Sequence, residues 1–591
     1  LVAARYSGDQ ARPSFSRVIH AYGDSTCGDH ALGCLKSGVA QGPQEEAMSF
    51  KALILASGLA LAGLPAQAQL SGTVRSAQEG AMEGVLVSAQ REGGNITVTV
   101  VSDAQGRFAF PANRVGPGRY ALSIRAAGYN LASPATLAVQ GATSAALTLA
   151  PTDDLASQLT NAEWVASMPG SDADKHFLRN CVNCHTLRQP LFSTHNLAEF
   201  VAVQERMATY APASGLHMPQ RPLADRISNQ GPAAAAARMA VFQRQAAFLA
   251  RVNLGNREAW PYPLRPFPRP TGRATRVVIT EYDLPEPTRM PHDVVLTGDG
   301  TVWYNSFTEQ VLGRLNPATG EVREYRVPEL KPEAPKGSLA IRPDREGQVW
   351  MGLSYQGGVA RFNPRTETFR MYPLPANLQA DHTQTTEVEP RHLQVDGKVW
   401  IEDSGTYSIY QMDVATGAIQ VHQPFPIPSP NIYDITTDPQ NNVYFTVFGR
   451  GDIGRVDART GQIRIWPTPT PNSNPRRGTL DERGRFWFGE FAGNRIGMFD
   501  TRTETFREFT PPTPFSFPYD VVADHNGEVW TGNMMTDRIT RLNPENGQFV
   551  EYPLPRSTNV RRVFVDNSTS PVTFWVGSNH GAFVVRLEPL D

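Results

Sequence analysis

The sequence predicts a mainly β protein: a seven-bladed β-propeller in the C-terminal half, a small β-sandwich near the N-terminus, and an α-helical segment between them. Three observations carry this expectation. A strand aromatic behind a Gly/Asp-rich turn returns about every 45 residues, at Trp303, Trp350, Trp400, Tyr444, Trp487, Trp530 and Trp575, and such a period marks blades or solenoid turns. The 49 glycines and 48 prolines suit many turns punctuating short strands. Only from about 155 to 260 does the chain become Ala-rich with helical spacing.

Residues 1–47 show no clear periodicity and read as sequence upstream of a start at Met48. Lys51, the apolar run Ala52 to Leu64, and Ala66-Gln67-Ala68 have the layout of an export signal over 48–68, with cleavage before Gln69. The apolar run is too short for a comfortable membrane span. The expected location is therefore periplasmic or secreted, with no integral membrane span in the mature chain. About 520 residues then remain, enough for two to four domains. With 55 basic and 57 acidic residues and no Lys/Arg-rich run, no field recruits nucleic acid, and no nucleic-acid partner is expected.

Residues 69–152 alternate as strands at Gly72-Thr73-Val74, Gly84 to Val87, Thr97 to Val101 and Tyr120 to Arg125. Asp103-Ala104-Gln105-Gly106 and Gly116-Pro117-Gly118 supply tight turns between them. The motifs Gly72-x-Val74, Asp103 to Phe108 and Tyr120 to Tyr129 resemble the carboxypeptidase regulatory-like (transthyretin-like) domain. That resemblance implies a folding or docking module without peptidase activity.

In residues 155–260 helical spacing runs through Asn196 to Tyr210 and Ala233 to Val252. Ahead of both stands Cys181-Val182-Asn183-Cys184-His185, the C-x-x-C-H spacing of covalent haem attachment. Cys181 and Cys184 are the expected attachment points of haem c, and His185 an iron ligand. A reducible disulfide or half a zinc site are the alternatives. A zinc site would want two more ligands nearby, and the remaining cysteines, Cys27 and Cys34, precede the export signal. A helix, this motif, a loop and a terminal helix resemble class I cytochrome c, which implies a second axial ligand and a redox partner protein. Met218, in the loop Gly215 to Pro219, is the first choice for that ligand. Met207 is the runner-up, with core packing as its other role, and His217 or His195 would make a bis-histidine haem. Methionine raises the potential relative to histidine. Pro261 to Pro270 reads as a stiff linker.

From 271 to 591 each repeat continues into a strand such as Ile453-Gly454-Arg455-Val456, a turn such as Asn316 to Gly320, and a final strand such as Phe549 to Tyr552. Four short strands make a propeller blade. The strand Val277 to Tyr282 shares the ending of the later outer strands, so it is expected to complete the last blade. Pro291-His292-Asp293-Val294, Arg485 to Glu490, Asn494 to Gly497 and Glu551 to Pro555 resemble the blade motifs of the virginiamycin B lyase (streptogramin lyase) family. The resemblance implies a propeller that opens a cyclic ester by elimination, with a histidine base and a magnesium ion.

Aligning the repeats on His292 places Ser338, His392, Tyr433, Arg477, Tyr519 and Arg562 around the axis. The position three beyond each aromatic gives Ser306, Leu353, Asp403, Val447, Glu490, Asn533 and Ser578. Glu490 matches a glutamate of the family motif but is expected to pair with Arg477, not with a histidine. A funnel lined by His292, His392, Asp403, Tyr433, Arg477, Glu490 and Tyr519 suits a polar or anionic small molecule. Magnesium (Mg2+) would need Glu490 with Asp403 or a histidine. The leading expectation is an exported c-type haem protein that couples electron transfer to binding at the propeller funnel. The alternatives are a carbon–oxygen lyase acting on a cyclic ester and a non-catalytic binding scaffold. As an enzyme it would be that lyase or a haem-linked oxidoreductase.

Overall fold

A computed structural model describes residues 70–132, 135–224, 231–427 and 429–591. The expected upstream stretch, the export signal, Cys27 and Cys34 lie outside them. Among the described residues no helix is long and apolar enough to cross a membrane.

The C-terminal half is a propeller-like array of four-stranded antiparallel sheets. Six of them cover 291–326, 341–373, 385–422, 431–467, 475–509 and 518–553. The seventh joins Val560–Asp566, Thr573–Ser578 and Phe583–Pro589 to Val277–Asp283, as the sequence leads one to expect. The innermost strand of each sheet touches the innermost strand of the next, and the first touches the seventh. The repeat's aromatics all lie buried in second strands. Several are pinned by the acidic turn before them: Trp350, Trp487 and Trp530 donate Nε1–H to Asp344, Asp481 and Asp524 at 3.0, 2.9 and 2.8 Å. The glycine of the Ile-Gly-Arg strand has an equally direct cause. A Cβ at Gly454 would lie 2.2 Å from the ring of Phe445, and one at Gly497 2.3 Å from that of Phe488.

The N-terminal sandwich packs Leu70–Ser76 and Thr143–Pro151, paired parallel, over a second sheet that includes Leu86–Arg91, Ile96–Val101 and Gly118–Arg125. Here the structure departs from a free-standing module. Ile96–Val101 pairs antiparallel with Val277–Asp283, Val100 opposite Val278 and Ile96 opposite Tyr282. The seventh sheet thereby continues into the sandwich as one eight-stranded sheet, and an exposed edge that would otherwise invite pairing with other chains is covered.

The helical segment holds Asn161–Ser167, three single-turn pieces, Leu197–Ala208 and the long Gly231–Val252. Capping boxes start three helices, at Thr160/Glu163, Ser171/Asp174 and Asn196/Glu199. The segment does not own a separate core. Trp164, Leu178, Val182 and Leu249 pack in one cluster with Phe491, Tyr519, Met534 and Met535 of the propeller-like array, and Ala162 N–H donates to Met535 O at 2.8 Å. The proline-rich stretch 261–270 is a strap, not a free spacer. Phe267 N–H donates to Glu163 at 2.6 Å and Arg265 N–H to Ser167 at 2.8 Å.

Replacing Trp530 by Phe keeps the packing but leaves Asp524 one donor short. The expected cost is about 1–3 kcal/mol, read as a lowered Tm in scanning calorimetry; an unchanged Tm would show the turn does not depend on the indole.

Candidate functional site

In six of the seven inner strands the pairing register slips at one place. The slips fall between Pro291 and Val294, Thr385 and Glu387, Ile432 and Ile435, Pro475 and Gly478, Pro518 and Val521, and Val560 and Val563. A bulge re-aims side chains that a regular strand would send to its two faces. Most of these bulges carry an adjacent polar pair: His292-Asp293, Tyr433-Asp434, Arg476-Arg477, Tyr519-Asp520 and Arg561-Arg562, with Thr386-Glu387 in the third sheet. The two members of each pair go to different layers.

The second members meet in a buried ion network. Arg477 binds both oxygens of Asp293 at 3.0 and 3.1 Å and also pairs with Glu387. Arg342 from the second sheet pairs with Glu387, Glu389 and Asp434, the last at 2.7 Å. Arg562 meets Asp520 at 3.3 Å and Asp434 at 3.7 Å. Every one of the seven inner strands therefore contributes to the network, the third through both Glu387 and Glu389. Against the burial that would raise it, Arg477 and His292 hold the Asp293 carboxyl well below the usual range.

The first members face the other way, toward a cavity of about 770 Å3 beneath the helical segment. Tyr433, Arg476, Arg561 and Thr386 line it from one side, and Cys181, Cys184, His185 and Met207 from the other. Its size falls within the roughly 300–1,000 Å3 of small-molecule and cofactor sites. A hydrogen-bonded chain leads inward from it. Tyr433 OH meets Tyr519 OH, Tyr519 OH lies 3.2 Å from His292 Nε2, and His292 Nδ1 lies 2.8 Å from Asp293. Burial pushes His292 down to about 3, so its imidazole is neutral at neutral pH. Burial alone would raise the Tyr519 phenol, but Arg476, Arg561 and Arg477 hold it below its ordinary value.

The C-x-x-C-H residues present a donor set that fits covalent haem. Both cysteines are free thiols. Burial and the neighbouring Cys184 push Cys181 up to about 12, and burial raises Cys184. His185 Nδ1–H donates to Thr186 O at 2.8 Å, which leaves Nε2 as the nitrogen a metal would take, since such a bond orients metal-binding histidines. The array grips this loop by its backbone. Asn559 and His580 donate to Val182 O at 3.2 and 2.9 Å, and Arg561 to Asn183 O at 2.9 Å. No sequence motif announced Asn559 or His580, because their importance is a contact across almost 400 positions.

Several expected positions move. Met207 and His195 line the cavity, while Met218 and His217 do not; the Met218 backbone instead exchanges bonds with Gly215 at 3.2 Å. The bulges show that His292 corresponds to Thr386, Arg476 and Arg561, not to His392, Arg477 and Arg562. His392 lies beyond its inner strand, bonded to Thr437 at 2.9 Å. Arg477 does not pair with Glu490, since the bulge sends it across the axis to Asp293 and Glu387. Glu490, fully buried, has no donor for either oxygen and faces Glu508. Asp403 is spent on its own turn, accepting from Gln384, Gly405 and Thr406 amides at 2.8, 2.9 and 3.1 Å. Asp403 and Glu490 end second strands of different sheets, the third and the fifth. Among the described residues no group of three or more His, Cys, Asp or Glu side chains is set to hold a metal ion.

A model of the virginiamycin B lyase family matches residues 421–589, and one of the carboxypeptidase regulatory-like domain matches residues 69–150. A streptogramin B lyase structure is 22% identical, with 54% of this chain and 100% of that chain covered at a TM-score of 0.47. Virginiamycin B lyase from Staphylococcus aureus is 22% identical, with 53% and 99% covered at 0.46, and a catalytically inactive form with quinupristin gives the same figures. No curated protein matches.

Burial and Glu508 push Glu490 up to about 8, against an ordinary 4.5. Between those values the folded chain keeps a proton that the unfolded chain has lost, so stability falls as pH rises through the window and levels off above it. Glu490→Gln is expected to flatten that fall when Tm is measured from about pH 5 to about pH 9; parallel profiles for the two proteins would refute it.

Proposed function

We propose that this chain is an exported c-type haem protein, periplasmic or secreted. Its seven-bladed propeller serves as the platform on which a cytochrome-like C-x-x-C-H segment docks. The observation that carries this reading is one shared cavity, lined by Cys181, Cys184, His185 and Met207 on one side and by Tyr433, Arg476 and Arg561 on the other. Cys181 and Cys184 would hold the porphyrin and His185, through Nε2, the iron, with Met207 or His195 as a second ligand. Bound haem supplies a one-electron couple, exchanged with a redox partner protein. The chain's own part is to bury that couple, to fix the loop through Asn559, Arg561 and His580, and to keep a small molecule against Tyr433. The Tyr433–Tyr519–His292 chain ties that molecule to Tyr519, whose phenolate the surrounding arginines favour and which would be the group to take a proton from it.

The pyridine haemochrome spectrum of protein exported with haem-attachment machinery tests this directly. A c-type spectrum is expected, and absence of covalent haem overturns the reading. Met207→Ala should abolish a methionine-to-iron absorption band and lower the potential, whereas Met218→Ala should leave both unchanged. The reverse result would return the assignment to Met218.

The family match over 421–589 favours a second reading, ring-opening elimination on a cyclic ester, with Tyr519 or His292 taking the proton and no requirement for haem. Incubating wild type and Cys184→Ala with quinupristin separates the two. Full turnover by both supports independent lyase chemistry, and no turnover by either sinks it.

A further inference from the structure

We infer that the propeller side of the cavity is a carboxylate-binding site built on Arg476 and Arg561. Both side chains are more than nine-tenths buried, at 5% and 2% exposure, and both line the cavity. Among the described residues neither forms an ion pair. Arg476 reaches only the sulfur of Met534, at 3.5 Å, and its Nε has no partner. Arg561 donates to Asn559 and to the carbonyl of Asn183. Arg179, outside the cavity lining, stacks over Phe491 at 6.0 Å on the same aromatic cluster.

The contrast with the adjacent residues is the argument. Arg477 and Arg562, one position on, each meet carboxylates from other sheets, so the fold can neutralise buried arginines and does so in the axial layer. In the cavity layer it leaves them unneutralised, and a buried unpaired charge is costly unless a ligand supplies the counter-charge. Aromatic rings hold the Arg476 fork in place: its guanidinium carbon lies 4.1 Å from the centroid of Tyr519, 4.4 Å from Phe491 and 5.0 Å from Tyr433 and Phe448. A planar fork between rings selects a carboxylate, which it can take in bidentate fashion, on a flat conjugated body. Two sources share that chemistry, a free aromatic acid and a propionate of haem; the second source alone rests on the function proposed above.

Calorimetric titration of the full mature chain with benzoate, and with neutral benzyl alcohol as control, tests the site. If the acid is free, benzoate binds to wild type, Arg476→Gln weakens it about tenfold or more, roughly 1.4 kcal/mol, and Arg476→Lys retains most of the affinity. Benzyl alcohol should not distinguish the three. If the carboxylate is a propionate, benzoate fails to bind, but Arg476→Gln lowers the haem reduction potential and Arg476→Lys lowers it less. Benzoate binding equally tight in Arg476→Gln, or neither binding nor a change of potential, overturns the inference. Circular dichroism of each variant confirms that it is folded. The haemochrome measurement stands apart: protein without covalent haem that still loses benzoate affinity in Arg476→Gln refutes the haem reading and leaves the carboxylate site intact.

Discussion

The axial ion network is the interaction on which the rest of the structure depends. Five carboxylates, Asp293, Glu387, Glu389, Asp434 and Asp520, and three guanidiniums, Arg342, Arg477 and Arg562, come from the seven inner strands, two of the acids from the third. The acids also stitch neighbouring sheets through the backbone. Asp293 accepts from the amide of Ile341, Asp434 from Gly478 and Asp520 from Val563, each on the next inner strand round the ring. A buried network of this kind adds little net stability, because desolvation offsets most of the attraction, but a missing member leaves a charge stranded. Its effect is to tie each bulge to one register and so to fix what lies on the other side of it.

What lies there is the cavity layer. A bulge that points Asp293, Asp434, Asp520, Arg477 or Arg562 to the axis leaves His292, Tyr433, Tyr519, Arg476 or Arg561 to the opposite side. The site is thus built by the same backbone irregularity that builds the core. This explains why its members are held so tightly: Tyr519 and His292 are fully buried, and the loop carrying Cys181 and Cys184 is bonded to Asn559, Arg561 and His580. Helical segment, strap and array share one apolar cluster, so a single continuous core joins the two halves of the cavity.

The sandwich contributes at the far edge. Its strand Ile96–Val101 turns the outermost strand of the seventh sheet into an interior one, and Val278 enters the sandwich core. Arg125 of the sandwich donates to Leu554 O at 2.6 Å and to Asp537 at 2.9 Å, reaching the sixth sheet's outer end. The sheet where ring closure joins distant parts of the chain is the one so braced.

Local patterns alone determined a good deal of this protein. The periodic aromatics located the second strands, because one large buried ring per repeat returns at a fixed place in each, whereas the ring that excludes a Cβ at the Gly of Ile-Gly-Arg showed only in the fold. Alternation found the sandwich strands, helical spacing found Leu197–Ala208 and Gly231–Val252 to within a few residues, and C-x-x-C-H marked a loop that lines the cavity. Tertiary structure decided the site itself. A one-residue slip inside an inner strand is silent in composition and periodicity, yet it exchanges Arg476 for Arg477 and Arg561 for Arg562 at the cavity, while His392 falls beyond the end of its strand. Which carboxylate meets Arg477, whether Met207 or Met218 lines the cavity, and that Asn559 and His580 hold Val182 are contacts between segments far apart in sequence, and only the folded chain brings those segments within hydrogen-bonding distance.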